Sequence, residues 1–148
     1  MNSLVKVFSP ATIGNIGPGF DVLGLAVKGL GDIVEARKVP EGVVIESIEN
    51  ADHEISMKAD ENTAGIAARE VLNILREKEG VALKIIKGLP AGSGLGSSAA
   101  SAAAAAYAAN LLFGKQLSKS ELILPATLAE EYVSGGFFAD NVAPALLG

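Results

Sequence analysis

The sequence contains no cysteine and a single histidine. Without cysteine there are no disulfides, thiolate metal sites or cysteine nucleophiles, and the composition fits a reducing, cytoplasmic setting. His53 lies in a polar, acidic stretch and reads as a solvated surface residue rather than a ligand or base. Basic charge is also scarce: 12 Lys and Arg stand against 17 Asp and Glu, for a net charge of −5, and they form no stripe. Nucleic acid is therefore not an expected partner, and an anionic ligand would have to be met locally. No basic segment precedes an apolar one at the N-terminus. The only long apolar run, residues 99–113, is mostly alanine and carries Tyr107 and Asn110, so neither secretion nor membrane insertion is expected. No internal repeat is visible. What remains is a globular composition, 49% apolar and 20% charged over 148 residues, the size of one domain.

Local patterns divide the chain into strands followed by helices. Residues 4–8 read as a strand, and residues 9–21 hold Pro10, Gly14, Gly17, Pro18 and Gly19, a density of breakers that predicts a shaped loop. Residues 22–27, 32–39 and 43–48 alternate as further strands, with Gly29 and Gly31 separating the first two, which suggests antiparallel pairing. Ile66, Ala67, Val71, Leu72 and Leu75 follow helical spacing after an Asn62 or Thr63 N-cap, with Gly80 just past the end. Residues 81–87 read as a strand and 97–113 as a small-sided helix stopped by Gly114. A third helix begins at Ser118 with Glu121 in the capping-box position, and Pro125 should kink or restart it. The apolar stretch 142–148 reads as buried strand. The order of elements predicts an α+β fold with a mixed sheet and helices on one face.

The chemistry concentrates in three blocks. Pro90-Ala91-Gly92-Ser93-Gly94-Leu95-Gly96-Ser97-Ser98 follows a strand and opens a helix. Backbone N–H groups and the positive end of the helix dipole converge there, where phosphate is the natural occupant. The glycines let the backbone approach without Cβ clashes, and Ser97 and Ser98 add hydroxyls able to ligate Mg²⁺. The pattern lacks the Gly-Lys-Ser/Thr of a Walker A loop and differs from G-x-G-x-x-G. The plainer reading is a Gly/Ser turn that merely joins a strand to an alanine helix. Asn15 and Asp21 bracket a rigid apolar loop suited to an acceptor's hydroxyl or amine, and read equally well as an Asx-type turn. Glu130 and Glu131 offer carboxylates for a hard cation, or else form a solvated helix face. Asp140-Asn141 sits in an apolar segment, where an acid is costly unless it has a partner or a task.

In order and spacing, residues 15–21, 90–100 and 140–148 resemble the motifs of the GHMP kinases (galactokinase, homoserine kinase, mevalonate kinase, phosphomevalonate kinase). Within that superfamily, Gly19-Phe20-Asp21-Val22-Leu23-Gly24 and Asp140-Asn141-Val142-Ala143-Pro144-Ala145-Leu146-Leu147-Gly148 are similar to the homoserine kinase family. The resemblance implies the N-terminal, ATP-binding domain of ribosomal S5 domain 2-like fold over residues 1–148, with a C-terminal domain absent from this chain. It implies transfer of the γ-phosphoryl group of ATP to the side-chain hydroxyl of L-homoserine, on the way to threonine. Carried over by position, Pro90 to Ser98, with Ala99 and Ala100 behind them, cradle the phosphates. Asn62 lies beside the adenosine, Ser98 and Glu130 hold Mg²⁺, and Asn15, Asp21 and Asn141 face homoserine. An aspartate in the block matching Asp140 acts as a base in sister families, whereas homoserine kinase is usually read as transferring directly.

The chain departs from that pattern in three places. Phe138 stands where the family usually has His, Ile13-Gly14 stands where Ser-Ala is common, and the family's chains are about twice as long. Association with a C-terminal half or a second copy is the expected consequence of the apolar C-terminal segment. Two other readings stand beside this one: a GHMP kinase for another acceptor, of shikimate or mevalonate type, and a non-catalytic nucleotide-binding or partner domain.

Overall fold

The computed structural model describes residues 3–148, apart from the side chains of Phe20 and Asp21. Four strands, β1 (Leu4–Ile16), β2 (Gly19–Val39), β3 (Val43–Glu49) and β4 (Gly80–Ile86), form one sheet in the order β1-β2-β4-β3. β1 and β2 are antiparallel, β2 and β4 are antiparallel, and β3 runs parallel to β4 at the far edge. The helices are α1 (Thr63–Leu75), α2 (Ser97–Leu112), α3 (Ile123–Ser134) and α4 (Val142–Leu147), with a 3₁₀ turn at Ala59–Glu61. The α+β class and mixed sheet follow as expected. Among the described residues no helix is long and apolar enough to cross a membrane.

Several local expectations are corrected by position in the sheet. Residues 9–16 are strand, not loop, because β1 is an edge strand where a proline's missing N–H faces away from the ladder. The register also shifts between Pro10 and Ala11. Segments 22–27 and 32–39 are one strand, and residues 28–30 are extra residues at that shift, with Gly29 at φ 91°. β1 and β2 thus extend past the sheet as a hairpin arm. β3 does not join β2; α1 carries the chain across to make β3 and β4 parallel neighbours. Residues 142–147 are helical rather than strand, and Pro144 is tolerated because it falls in the first turn, where its N–H has no partner to lose.

α2 explains its own composition. It lies between the sheet and the other helices and is buried nearly all round, with Ala102 to Ala106 no more than 1% exposed, as a helix without a polar face must be. Alanine at these positions lets the backbones of β1, β2 and α1 pack close. The expected capping box is present: Ser118 N–H donates to Glu121 Oε2 (2.7 Å) and Glu121 N–H to Ser118 Oγ (3.2 Å). The residues it orders form a turn, and α3 begins only at Ile123, so Pro125 lies in its first turn and produces no kink.

Gly80 does not cap α1. Arg76 does, at φ 56°, with Glu77 N–H bonded to Leu72 C=O at 3.0 Å in a Schellman arrangement. A left-handed non-glycine residue costs roughly 1–2 kcal/mol, part of which glycine returns as chain entropy. Arg76→Gly is therefore expected to stabilise the protein by about 0.5–1 kcal/mol, read from the urea midpoint at unchanged slope.

Candidate functional site

The loop between β4 and α2 gets its shape from three glycines in the left-handed region: Gly92 at φ 64°, Gly94 at 74° and Gly96 at 67°. Serine side chains stiffen it. Ser93 Oγ donates to Pro90 C=O (2.7 Å) and accepts from Leu95 N–H (3.3 Å), and Ser97 Oγ donates to Leu89 C=O (3.3 Å). Thr12 N–H donates to Leu95 C=O at 2.9 Å, tying the loop to β1. Gly96 occupies the N-cap of α2 and has no side chain to cap it. The first-turn N–H groups, which lack intrahelical partners, are thus left to an outside acceptor.

These groups face a cavity of about 460 Å³ lined by Asn62, Thr63, Lys87, Gly92, Ser97 and Ser98, with residues 53–56 along its rim. α1 and α2 both begin at this cavity. Asn62 caps α1, its Oδ1 accepting from Ala64 N–H (2.9 Å) while Nδ2 donates to Ser56 C=O (3.0 Å). Thr63 Oγ1 donates to Ser98 C=O (3.3 Å), linking the two helix starts. His53 is exposed, as expected, and its Nδ1 lies 2.9 Å from Asp52 Oδ1, which also accepts from Ala91 N–H (3.4 Å). The hydrogen bond from His53 lowers the Asp52 pKa, with a further contribution from Ala91.

Behind the loop the carboxylates gather. Ser98 Oγ donates to Glu130 Oε2 at 3.0 Å, across 32 residues of sequence. The other oxygen of Glu130 is buried without a partner, as is Oδ2 of Asp140. Burial raises the Glu130 pKa above its ordinary value of 4.5; the Ser98 hydrogen bond and the Lys87 charge oppose the rise, and the charge of Asp140 adds to it. Glu131, by contrast, is exposed on the far side of α3. Thr12 Oγ1 donates to Asn141 Oδ1 at 3.0 Å. A Cβ on Gly14 would lie 2.3 Å from Asp140 Oδ2, and one on Gly24 would lie 1.6 Å from the Asp140 carbonyl oxygen. The hairpin arm therefore brings Thr12, Gly14 and Gly24 against Asp140 and Asn141, and a second cavity of about 440 Å³ opens between the arm and α4 beside Asp140. Asn15 sits at this end of the arm with φ 56°, whereas the side chain of Asp21 lies outside the described residues.

The fold thus brings a glycine loop with an uncapped helix start and two incompletely partnered carboxylates near the first turn of α2, and similarity supplies the family. A model of the GHMP kinases N-terminal domain matches residues 62–148. The chain belongs to the GHMP kinases. It is 46% identical over 97% of its length to homoserine kinase of Methanococcus maripaludis, and 49% identical over 97% to that of Arabidopsis thaliana. It covers 48% and 40% of those two proteins, respectively. The crystal structure of homoserine kinase from Cytophaga hutchinsonii superposes with a TM-score of 0.93 at 42% identity, over all of this chain and 47% of that one. The chain therefore spans about half the length of the relatives it matches.

In this GHMP kinase domain the donor set suits a hard cation. Two buried carboxylate oxygens, on Glu130 and Asp140, lack partners, and the hydroxyl of Ser98 is bonded to the other oxygen of Glu130. No cluster of three or more His, Cys, Asp or Glu exists among the described residues, which excludes an all-protein cage there. One or two carboxylates with the rest of the shell left to phosphate is the usual Mg²⁺ arrangement. Sequence reasoning missed Asp32, Lys87 and Ser101, which are buried together beneath the loop. The only local signal was a lysine at the strand end where the loop begins.

Proposed function

We propose that this chain is the nucleotide-binding half of an enzyme that transfers the γ-phosphoryl group of ATP to the side-chain hydroxyl of L-homoserine. The observation that carries the reading is the glycine loop with its uncapped helix start, facing a cavity whose lining includes Ser98, the hydroxyl partner of Glu130. The phosphates rest on residues 90–98, with Ala99 and Ala100 forming the buried turn beneath, and the adenosine lies toward Asn62. Ser98 and Glu130 would hold Mg²⁺, which would supply neutralisation of charge on the transferring phosphate. Homoserine as acceptor is supported by the relatives at 42–49% identity.

The acceptor lies on the arm side, toward Asn15, Asp21, Asp140 and Asn141. There its hydroxyl oxygen bonds to the γ-phosphorus as the bond to the bridging oxygen breaks. Positioning and charge neutralisation dominate such a loose transfer. Asp140, buried with one oxygen unpartnered, offers an acceptor for the hydroxyl proton, and the Thr12 hydroxyl fixes Asn141. Phe138, exposed where the family pattern has His, makes no such contact, so Asp140 and Asn141 hold the acceptor on this side. The part of the enzyme beyond this span completes the grip on homoserine.

The test is a coupled assay of the full-length protein containing this chain, with Mg²⁺-ATP and homoserine, mevalonate and shikimate in parallel. Homoserine should be favoured in kcat/KM by about 10⁴-fold or more, the scale of losing a polar anchor in a site built for it. Phosphorylation of mevalonate or shikimate alone overturns the acceptor assignment, and failure to bind ADP with Mg²⁺ overturns the nucleotide site.

A further inference from the structure

We propose that Asp32, Lys87 and Ser101 are positioning residues that set the phosphate-binding loop, and that Lys87 acts on the nucleotide through this network rather than by touching it. The proposal rests on the loop's being a nucleotide site. Lys87 lines the cavity wall, where a lysine next to a glycine loop invites comparison with the phosphate-contacting lysine of other nucleotide folds.

Its hydrogen bonds oppose that role. An ammonium has three N–H donors. Those of Lys87 meet Asp32 Oδ2, Ser101 Oγ at 2.9 Å and the carbonyl of Ser97 at 3.1 Å. Ser101, accepting from Lys87, donates onward to Asp32 Oδ2 at 2.8 Å. The remaining Asp32 oxygen accepts from Gly88 N–H (2.8 Å) and Leu89 N–H (3.3 Å). All three donors are committed inside the protein, and a phosphate contact would break the network.

The network joins three elements. Asp32 belongs to β2, Gly88 and Leu89 form the start of the loop, and Ser97 and Ser101 lie in the opening turns of α2. Both ends of the loop are thus held from beneath by one carboxylate–ammonium pair, with Asp32 at 0%, Ser101 at 4% and Lys87 at 7% exposure. A buried ion pair is weak evidence for stability, since well-packed apolar residues often do as well. Its value here is geometric. The loop's glycines lack side chains with which to fix their own conformation, and the N–H groups must keep their directions to fit phosphate.

The experiment uses the full-length protein and three variants: Ser101→Ala, Lys87→Met and the charge-balanced double variant Asp32→Asn/Lys87→Met. Amide hydrogen exchange over residues 88–98 without nucleotide is paired with calorimetric binding of ADP and of adenosine. Ser101→Ala should speed exchange in the loop by about tenfold and weaken ADP by a similar factor, the scale of one lost hydrogen bond to a charged group. Adenosine affinity and the exchange of β2 should stay unchanged. Lys87→Met should lose ADP affinity, and adding Asp32→Asn should restore part of it by removing the unpaired buried acid.

If Lys87→Met and the double variant are equally impaired while loop exchange matches wild type, Lys87 contacts phosphate directly and the proposal is wrong. A uniform rise in exchange across the fold instead marks a purely structural role and overturns it too. If either lysine variant fails to fold, Ser101→Ala decides alone. Should wild type itself not bind ADP, the nucleotide reading fails, while the exchange data still show whether the network orders the loop.

Discussion

Replacing Gly96 with valine is expected to weaken nucleotide binding by on the order of 100-fold, combining left-handed strain with overpacking. Gly96 sits at φ 67° at the N-cap of α2, a conformation that a β-branched residue adopts least readily. A Cβ there would lie 2.1 Å from Thr12 Oγ1 and 3.2 Å from Asn141 Oδ1. The substitution therefore pushes on the loop and, through Thr12, on Asn141, which the proposed function places toward the acceptor. Gly92 provides the control. It shares the left-handed φ, at 64°, but has nothing within 4 Å of its Cβ position. Gly92→Ala should cost only the backbone strain, about tenfold. Calorimetry with ADP separates the two. Equal losses at both glycines would mean that contact with Thr12 and Asn141 has no part in the effect, and wild-type affinity in Gly96→Val would remove the loop from the nucleotide site.

Glu130→Gln should move activity and stability in opposite directions. Burial makes the carboxylate expensive to ionise, so the folded protein holds a proton on Glu130 more tightly than the unfolded chain does. For a carboxyl group raised in this way, the stability contribution is full below the ordinary value of 4.5 and is lost as pH climbs through the folded value. Above the ordinary value and without nucleotide, ionising Glu130 is a cost that the fold carries. Gln at this position removes the charge while keeping an acceptor for the Ser98 hydroxyl. The nucleotide-free melting temperature should rise at pH 7.5 and change little at pH 4, with the variant's pH dependence flattened in between. Activity should fall by about 100-fold or more, the usual scale for removing one charge-stabilising group. A variant that is both active and less stable at pH 7.5 would show that Glu130 holds structure rather than a cation.

How much could be read in advance depended on the reach of each interaction. The glycine loop was legible because its conformation is set within nine residues: left-handed backbone favours glycine, and a helix that starts without a side-chain cap leaves donors for an outside acceptor. α1 was legible from its periodicity and from Asn62, whose capping bond spans two residues. Glu130 was a candidate only, since its bond to Ser98 crosses 32 residues and a carboxylate on a helix looks the same whether solvated or enclosed. Pro10 misled because a proline is a breaker inside a sheet and harmless on its edge, and edge or interior is a property of the assembled sheet. The stretch 142–148 misled because so short an apolar run carries too little periodicity to distinguish helix from strand. Asp32 and Lys87, 55 residues apart, gave no joint signal at all.

The sequence by itself determined the class of fold, the glycine loop at the start of α2 and the family to which the chain belongs, because each rests on short-range backbone preferences and motif order. Only the tertiary structure decided that Asp140 and Glu130 keep oxygens without partners, that the β1–β2 arm folds against Asp140 and Asn141, and that Lys87 is enclosed rather than free. Burial and pairing are settled by which distant segments pack together. The same aspartate or lysine is a solvated surface group or a buried structural one according to neighbours that its own stretch of chain does not contain.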